Sequence, residues 1–253
     1  MASDMTVVPF SERENIREDR FNQVWSEELN EVFADVAKYY DKANNVASLG
    51  LWGWFRSSFL SMIHLESGHK ALDVCAGTNA VGIAMMKKQP DLTVCAIDRS
   101  SAMQKVGGKR AQQQGFEIQS TIGDVHKLPF PDESFDVVTL QFASRHLRVI
   151  EVFEEIRRVL KPGGHFYHSD MLRPRTRFME VVHYAYLRFC LLFTSWIFNS
   201  GSAARGCKKY FVNALSAFYS ADELSQLLSD LGFSDISNKT HMGGLLGFHK
   251  AMK

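Results

Sequence analysis

The sequence lacks an excess of either charge, a cysteine pair and a secretory leader, and each lack narrows what the protein can be. Lys plus Arg number 29 and Asp plus Glu 28 in 253 residues, a balance of +1. A dedicated nucleic-acid binder carries a basic excess, so no nucleic acid is expected as a partner. The four cysteines, Cys75, Cys95, Cys190 and Cys207, form no C-x-x-C pair. That argues against a zinc site or a disulfide frame and for reduced thiols in a cytoplasmic protein. The first twenty residues, MASDMTVVPFSERENIREDR, have no apolar core, and their acidic residues fit an organelle transit peptide poorly. A bacterial cytoplasm is therefore favoured over a mitochondrial matrix. There is no internal repeat and no low-complexity tract. Hydrophobic residues at 45% exclude a mainly disordered chain, and the length allows one large domain or two small ones.

What is abundant is the aromatic ring: 19 Phe, and 12% aromatics, concentrated in two stretches. Residues 1–20 are polar and read as a flexible arm. Residues 21–68 read as N-terminal helices, with apolar positions in FNQVWSEELNEVFADVAKYY near the helical period. The following NNVASLGLWGWFRSSFL is either a core-packing helix pair or one wall of a greasy substrate site. From residue 69 short apolar runs alternate with helix-like segments. The runs are KALDVCAGTNA, DLTVCAIDRS, FDVVTLQFAS and GGHFYHSDM; the segments between are AVGIAMMKKQ, AMQKVGGKRAQQQG and EVFEEIRRVLKPGG, the last with a stop signal at Lys161, Pro162 and Gly163–Gly164. This alternation predicts an α/β, doubly wound, mostly parallel sheet, one domain over 21–253, with ligands beyond the carboxyl ends of the strands.

Within a helical insertion expected over 173–219, VVHYAYLRFCLLFTSWIF has fourteen apolar residues in eighteen. Arg188 near its middle would cost about 2.5–3.5 kcal/mol inside a bilayer. His183, Arg188, Thr194 and Ser195 share less than half the helical circumference, so a lid or interfacial helix is expected rather than a span, with a core helix as the alternative. Arg173, Arg175 and Arg177 could meet anionic lipid headgroups. The chain ends in a capped helix from Ser220 and two strands.

Three acidic residues stand at strand ends. Asp73 precedes a turn, Gly77–Asn79, that presents backbone N–H groups at a helix start. The turn is not G-x-G-x-x-G, which disfavours a dinucleotide pyrophosphate. Asp98 follows about 20 residues later, where an acid can accept both hydroxyls of a ribose. Asp124 could hold an adenine amino group. The trio fits a nucleoside without phosphates, although each residue could merely cap a helix.

ALDVCAGT, AIDRS, GDVHKLPFPDESFDVV and EEIRRVLKPGG together resemble the class I S-adenosylmethionine (SAM) methyltransferases, and more narrowly the ubiquinone/menaquinone C-methyltransferase (UbiE-type) family. YYDKANNVASLGLWGWFR and GGLLGFHKAMK extend the resemblance over roughly 35–253. It implies a seven-stranded sheet and SAM as co-substrate, held by Asp73, Gly77, Asn79, Asp98, Arg99, Asp124, Val125 and Gln141. Asn79 and Ala80 stand where that family has Gly and Asp, FASRH replaces F-G-L-R-N, and HFYHSDM replaces an apolar-Glu-Phe pattern. These departures resemble the rhodoquinone-biosynthesis (RquA-type) relatives, which implies a different reaction: SAM, with manganese, donates its amino group to replace a methoxy group of ubiquinone.

Losing the carboxylate at Ala80 favours a neutral donor amine. His168 and Asp170 share one face of a strand. In this fold His146 ends the neighbouring strand, so His146, His168 and Asp170 form a candidate N/N/O set for manganese, with packed histidines as the alternative. Arg145 could hold a quinone oxygen or pair with a carboxylate. Gln141 lies beside the sulfonium position. Tyr40 and Asp41 either close over SAM or pack the N-terminal helix. His126 and His165 are expected to carry no function. The implied partners are ubiquinone and the cytoplasmic face of the inner membrane, where the enzyme would be peripheral. Ordinary C-methylation of a quinone precursor, or a non-catalytic subunit organising other quinone-biosynthesis proteins, are the rival readings.

Overall fold

The apolar runs find their partners in one sheet. The computed structural model describes residues 8–253. Its strands are β1 (Lys70–Val74), β2 (Thr93–Asp98), β3 (Gln119–Ile122), β4 (Phe135–Gln141), β5 (Leu160–Met171), β6 (Ser234–His241) and β7 (Leu246–Met252). They lie in the order β3-β2-β1-β4-β5-β7-β6. The first five strands pair parallel, and β7 is antiparallel to both of its neighbours. Both faces of the central strands are covered, so these strands read as continuous apolar runs. Leu72, Val138 and Phe166 pack into the core on one face; Ala71, Val137 and Tyr167 pack on the other.

The helices are α1 (Phe10–Gln23), α2 (Leu29–Val36), α3 (Tyr40–Ala47), α4 (Trp52–Met62), α5 (Ala80–Lys88), α6 (Ser101–Gln113), α7 (Val149–Val159), α8 (Arg177–Ile197), α9 (Ser202–Gly206), α10 (Lys208–Ser216) and α11 (Ala221–Asp230). A π-helical turn at Val24–Glu28 joins α1 to α2 and buries Trp25. A reciprocal capping box between Ser220 and Glu223 starts α11. The class I SAM methyltransferase fold expected from the sequence is the fold observed.

Three segments differ from expectation. Residues 1–7 of the expected arm lie outside the described residues, but residues 10–20 form most of α1 and bury Arg13, Glu14 and Arg17. One side of the segment, Ser11, Glu12, Asn15, Asp19 and Arg20, is solvated, while the charges on the other side are paired inside the protein. Glu14 pairs with Arg17 and also accepts from Tyr219 Oη (2.7 Å) and the Val149 amide (2.5 Å). Arg17 Nη2 donates to the carbonyls of Arg145 (3.1 Å) and Leu147 (3.2 Å).

The helix before KPGG stops earlier than its glycines suggest. α7 ends at Val159, and Leu160 already pairs with Phe135 across the sheet. Gly163, at φ +77°, lies within the irregular start of β5. On α8, His183, Cys190 and Ser195 face inward, while Phe178, Phe189, Leu192 and Trp196 are exposed. Among the described residues no helix is long and apolar enough to cross a membrane. Arg173 is largely buried in a pair with Glu223 (2.7 Å) and so withdrawn from headgroups, while Arg175 stays exposed beside Asp222 (2.9 Å).

Breaking a buried ion pair from one side costs about 3–5 kcal/mol, because the other charge stays buried. Arg17→Met should therefore lower the unfolding free energy by about that amount. Urea denaturation would measure it, and a loss under about 1 kcal/mol would mean that α1 is not integral to the fold.

Candidate functional site

The site is built where β1 gives way to α5. Cys75 (φ +53°), Gly77 (φ +52°) and Asn79 (φ +55°) all lie in the left-handed region. Side chains held there carry strain of about 1–3 kcal/mol each, which persists only where surrounding contacts over-determine it. Those contacts are present. Gln104 Nε2 donates to Asn79 Oδ1 (2.9 Å) and to the Gly77 carbonyl (3.0 Å). Gly107 lets α6 come close: a Cβ there would stand 2.7 Å from the Thr78 carbonyl carbon and 2.9 Å from Asn79 Cγ. Asn79 is thus fully buried behind the turn and does not line the cavity. Its side chain supports the turn from behind.

Asp98, at the end of β2, closes the turn from the other side. Its Oδ2 accepts the Gly77 amide (2.8 Å) and its Oδ1 the Ser100 amide (2.7 Å). Burial pushes its carboxyl up, and these amides and Arg99 pull it back. Asp73 is more deeply set: Oδ1 accepts from Thr139 Oγ1 (2.8 Å) and Oδ2 from the Gly82 amide (3.3 Å). Burial raises it to about 7 against those two hydrogen bonds, and the neighbouring Asp98 charge adds to the rise.

A cavity opens over this turn. Asp73, Gly77, Asp98, Arg99, Asp124 and Val125 line it, together with Tyr40 and Gln141. These expected SAM residues are therefore brought together. Arg99 is anchored on the Trp25 carbonyl (2.7 Å), which ties the π turn to the site. Asp124 accepts from the amide of His126 (3.0 Å), and the His126 ring lies 2.6 Å away. These hydrogen bonds outweigh burial and hold Asp124 below its ordinary value. His126, expected to carry no function, lines the cavity and orients Asp124. Gln141 Nε2 is buried without a partner.

Asp41 also lines the cavity. Its Oδ2 pairs with Arg110 (2.6 Å) and accepts from Thr78 Oγ1 (3.0 Å); its Oδ1 takes Arg56 (3.2 Å) and Trp52 Nε1 (3.3 Å). Burial opposes its ionisation, but Arg110 and Arg56 win and hold it below the usual carboxylate value.

A second cavity, of about 490 Å³ and mainly apolar, adjoins the first. Phe33, Tyr40, Trp52 and Phe142 line both. Trp52 stacks on Phe142 at 4.8 Å, and Phe142 itself holds φ +59°. The inner face of α8, the loop Ala47–Leu51 and the first turn of α4, with Trp52 and Phe55, supply much of the wall. Arg145 lines this cavity, not the first.

The expected metal set does not form. Among the described residues no group of three or more His, Cys, Asp or Glu could hold a metal ion. His168 Nε2 and Asp170 Oδ2 both face Ser144 Oγ, at 2.8 Å and 2.6 Å. His168 Nδ1 lies 3.3 Å from His249 Nδ1, and Asp170 Oδ1 pairs with Arg145. His146 turns its Nδ1 to Tyr210 Oη, 2.6 Å away. Neither His168 nor Asp170 lines a described cavity. Sharing a strand face did put His168 and Asp170 together, but the serine and the arginine claim their donor atoms.

Several contributors had no local sequence signal. Gln104, Arg110, Trp25 and Tyr210 come from elements that only the folded chain brings near. Gly107 did carry one, as a glycine inside a helical pattern that marks a close approach.

The profile of the ubiE/COQ5 methyltransferase family matches residues 21–253. A demethylmenaquinone methyltransferase of Symbiobacterium thermophilum is 30% identical over 231 residues, covering 89% of this chain and 92% of that protein. One of Anoxybacillus flavithermus is 31% identical over 232 residues, covering 90% and 96%. Among solved structures, a SAM-dependent methyltransferase from Aquifex aeolicus superposes with a TM-score of 0.53 at 19% identity, covering 78% of this chain and 88% of that one. At that identity the likeness concerns the fold.

Asp98→Ala should weaken SAM binding by about 10–100-fold, the range expected for losing charge-assisted hydrogen bonds. Titration calorimetry with SAM reads this directly, and unchanged affinity would remove Asp98 from the site. Asp73 gives a test without ligand. Its folded-state value of about 7 lies above the unfolded 3.8. The stability it confers is therefore complete below about pH 4 and is lost as pH rises toward 7. Unfolding free energy should fall by a few kcal/mol across that window. The fall should flatten in Asp73→Asn; equal pH slopes for the two proteins would contradict the burial argument.

Proposed function

The chain belongs to the ubiE/COQ5 methyltransferase family, and we propose that it turns that family's SAM to a different use, the amination of a lipid quinone. In this reading the donor's amino group replaces a ring methoxy group of ubiquinone to give rhodoquinone, as the RquA-type resemblance implies.

The observation that carries the proposal is the side-chain setting at the methionine end of the first cavity. Ala80 offers no carboxylate there, and Asp41 is spent on Arg110, Arg56, Trp52 and Thr78. The carboxylate left there is Asp73, whose raised proton affinity favours taking the ammonium's proton over holding the ammonium charged. An amine must lose a proton before it can attack. Asp73, raised to about 7, has the proton affinity to take it near neutral pH. The amine nitrogen then bonds to the ring carbon that bears the methoxy group. Methoxide leaves that carbon and takes the second nitrogen proton, departing as methanol. The donor's Cα–N bond then breaks by elimination: nitrogen keeps the bonding pair and takes back the proton held by Asp73, while a donor Cβ proton passes to the emptied Asp73 carboxylate as Cα=Cβ forms, so the amino group stays on the ring.

The acceptor's chemistry suits the second cavity. An apolar chamber of about 490 Å³ can take a quinone head with the first units of its tail. The head would meet the donor between Phe33, Tyr40, Trp52 and Phe142. Arg145, Gln141 and Tyr40 are the polar groups offered to the ring oxygens. The exposed aromatic side of α8 supports work at a membrane surface, which we assign to the cytoplasmic face of the bacterial inner membrane. The three expected manganese ligands do not fit that metal, since their donor atoms are taken by Ser144, Arg145 and Tyr210.

Ordinary C-methylation is the second reading, favoured by the relatives near 30% identity, which are demethylmenaquinone methyltransferases. SAM labelled with ¹⁵N in its amino group and ¹³C in its methyl group decides between the two. The full chain would be incubated with this donor and either short-tailed ubiquinone or its C-demethylated precursor, with added manganese and in chelator, and the products weighed by mass spectrometry. The expected result is ¹⁵N on the ring with loss of one methoxy group. Label arriving only as ¹³C-methyl on a demethylated precursor would replace amination by methylation.

A further inference from the structure

Among the expected metal ligands, His146 is held on all sides except one. Its main chain is flanked by the carbonyls of Arg145 and Leu147, both taken by the buried guanidinium of Arg17. That guanidinium comes from α1, in a stretch lying before residue 21, where the family match begins. The ring is held as well. Trp25 Nε1 donates to Tyr210 Oη at 2.8 Å, so the Tyr210 oxygen is already an acceptor. Its single proton is left for His146 Nδ1, 2.6 Å away. Burial, with the charges of Arg145 and Arg17, keeps the His146 imidazole well below its ordinary value, hence neutral. A neutral ring whose Nδ1 accepts must carry its proton on Nε2.

That Nε2 is buried and has no partner. A buried donor left in this state is destabilising unless something answers it. His146 lines the donor cavity. Its ring also meets Phe33 (6.3 Å) and Phe211 (5.4 Å) edge-on. Phe33 lines both cavities and Phe211 the apolar one, which places His146 where the two meet.

We propose that His146 is a catalytic hydrogen-bond donor whose Nε2–H binds a ring oxygen of the quinone acceptor, with Tyr210, Trp25 and Arg17 as positioning residues. The proposal rests on the quinone reading above and adds the group that receives the ring. When a nucleophile adds to the ring, negative charge gathers on a carbonyl oxygen. A preorganised neutral donor stabilises that charge without transferring its proton. The fixed tautomer also excludes His146 as the base, since the nitrogen it offers is already protonated.

The test is ¹H–¹⁵N spectroscopy of the full chain carrying ¹⁵N-histidine, with His146 assigned through His146→Gln. In the free protein at pH 7 its ring should show the Nε2-protonated neutral tautomer. S-adenosylhomocysteine should leave the Nε2 resonance in place, and short-tailed ubiquinone added next should shift it. Tryptophan fluorescence in the same sample reports quinone binding independently. Tyr210→Phe should lose the tautomer preference and lower kcat about tenfold or more, with SAM affinity unchanged. His146→Gln, which keeps an N–H at similar reach, should retain more turnover than His146→Leu. An Nδ1-protonated ring, an imidazolium, or a shift caused by S-adenosylhomocysteine would overturn the proposal. So would quinone binding that leaves Nε2 unmoved, and in that case the quinone reading survives. Absence of quinone binding would overturn both, and the silent fluorescence would identify that case.

Discussion

A guanidinium cut off from water has to be answered by the protein, and the answer given to Arg17 organises the reacting side of this molecule. The side chain is fully buried, stacked over the rings of Trp25, Phe218 and Tyr219, and paired with Glu14. What remains of its donor capacity goes to two carbonyls of the loop that follows β4. Glu14 in turn holds the first amide of α7. One helix thereby fixes both ends of the segment that carries Arg145 and His146. Charges buried this way add little net stability against apolar replacements, but they impose direction, which apolar packing does not. Here that direction sets where the loop sits over the cavity.

The donor side is organised by the same logic on a smaller scale. Asp98 joins the turns after β1 and β2 by accepting one amide from each, while Gln104 and Gly107 brace the first of them from behind. The two halves meet at four rings: Phe33, Tyr40, Trp52 and Phe142. On one side the walls are carboxylates and backbone amides, and on the other they are hydrocarbon. A water-soluble sulfonium donor and a greasy acceptor can therefore be sorted by solvation alone before any specific contact is made.

The parallel sheet was legible because strands buried on both faces must be apolar throughout, and their alternation with helical segments leaves few topologies. The gathering of Asp73, Asp98 and Asp124 at one cavity was legible because strand ends in such a sheet open onto a common cleft. The failures have equally physical causes. FSERENIREDRF looks solvated in one dimension, since nothing local says that Glu14 will meet Arg17, Tyr219 and the Val149 amide. His168 and Asp170 do share a strand face, but Ser144 and Arg145, arriving from the neighbouring loop, decide what those side chains bind. Asn79 was legible as unusual, but not that its left-handed backbone turns its side-chain amide toward Gln104 and away from the cavity. Role depends on orientation, and orientation here comes from residues distant in sequence.

The outward rings of α8 have a consequence for handling the protein. Trp196 is 79% and Phe178 74% exposed, with Phe189 and Leu192 beside them on the same helix. Surfaces of this kind stick to one another in plain buffer. Preparations free of detergent or phospholipid should clump as concentration rises, so specific activity measured on dilute and concentrated stocks would disagree for colloidal reasons alone.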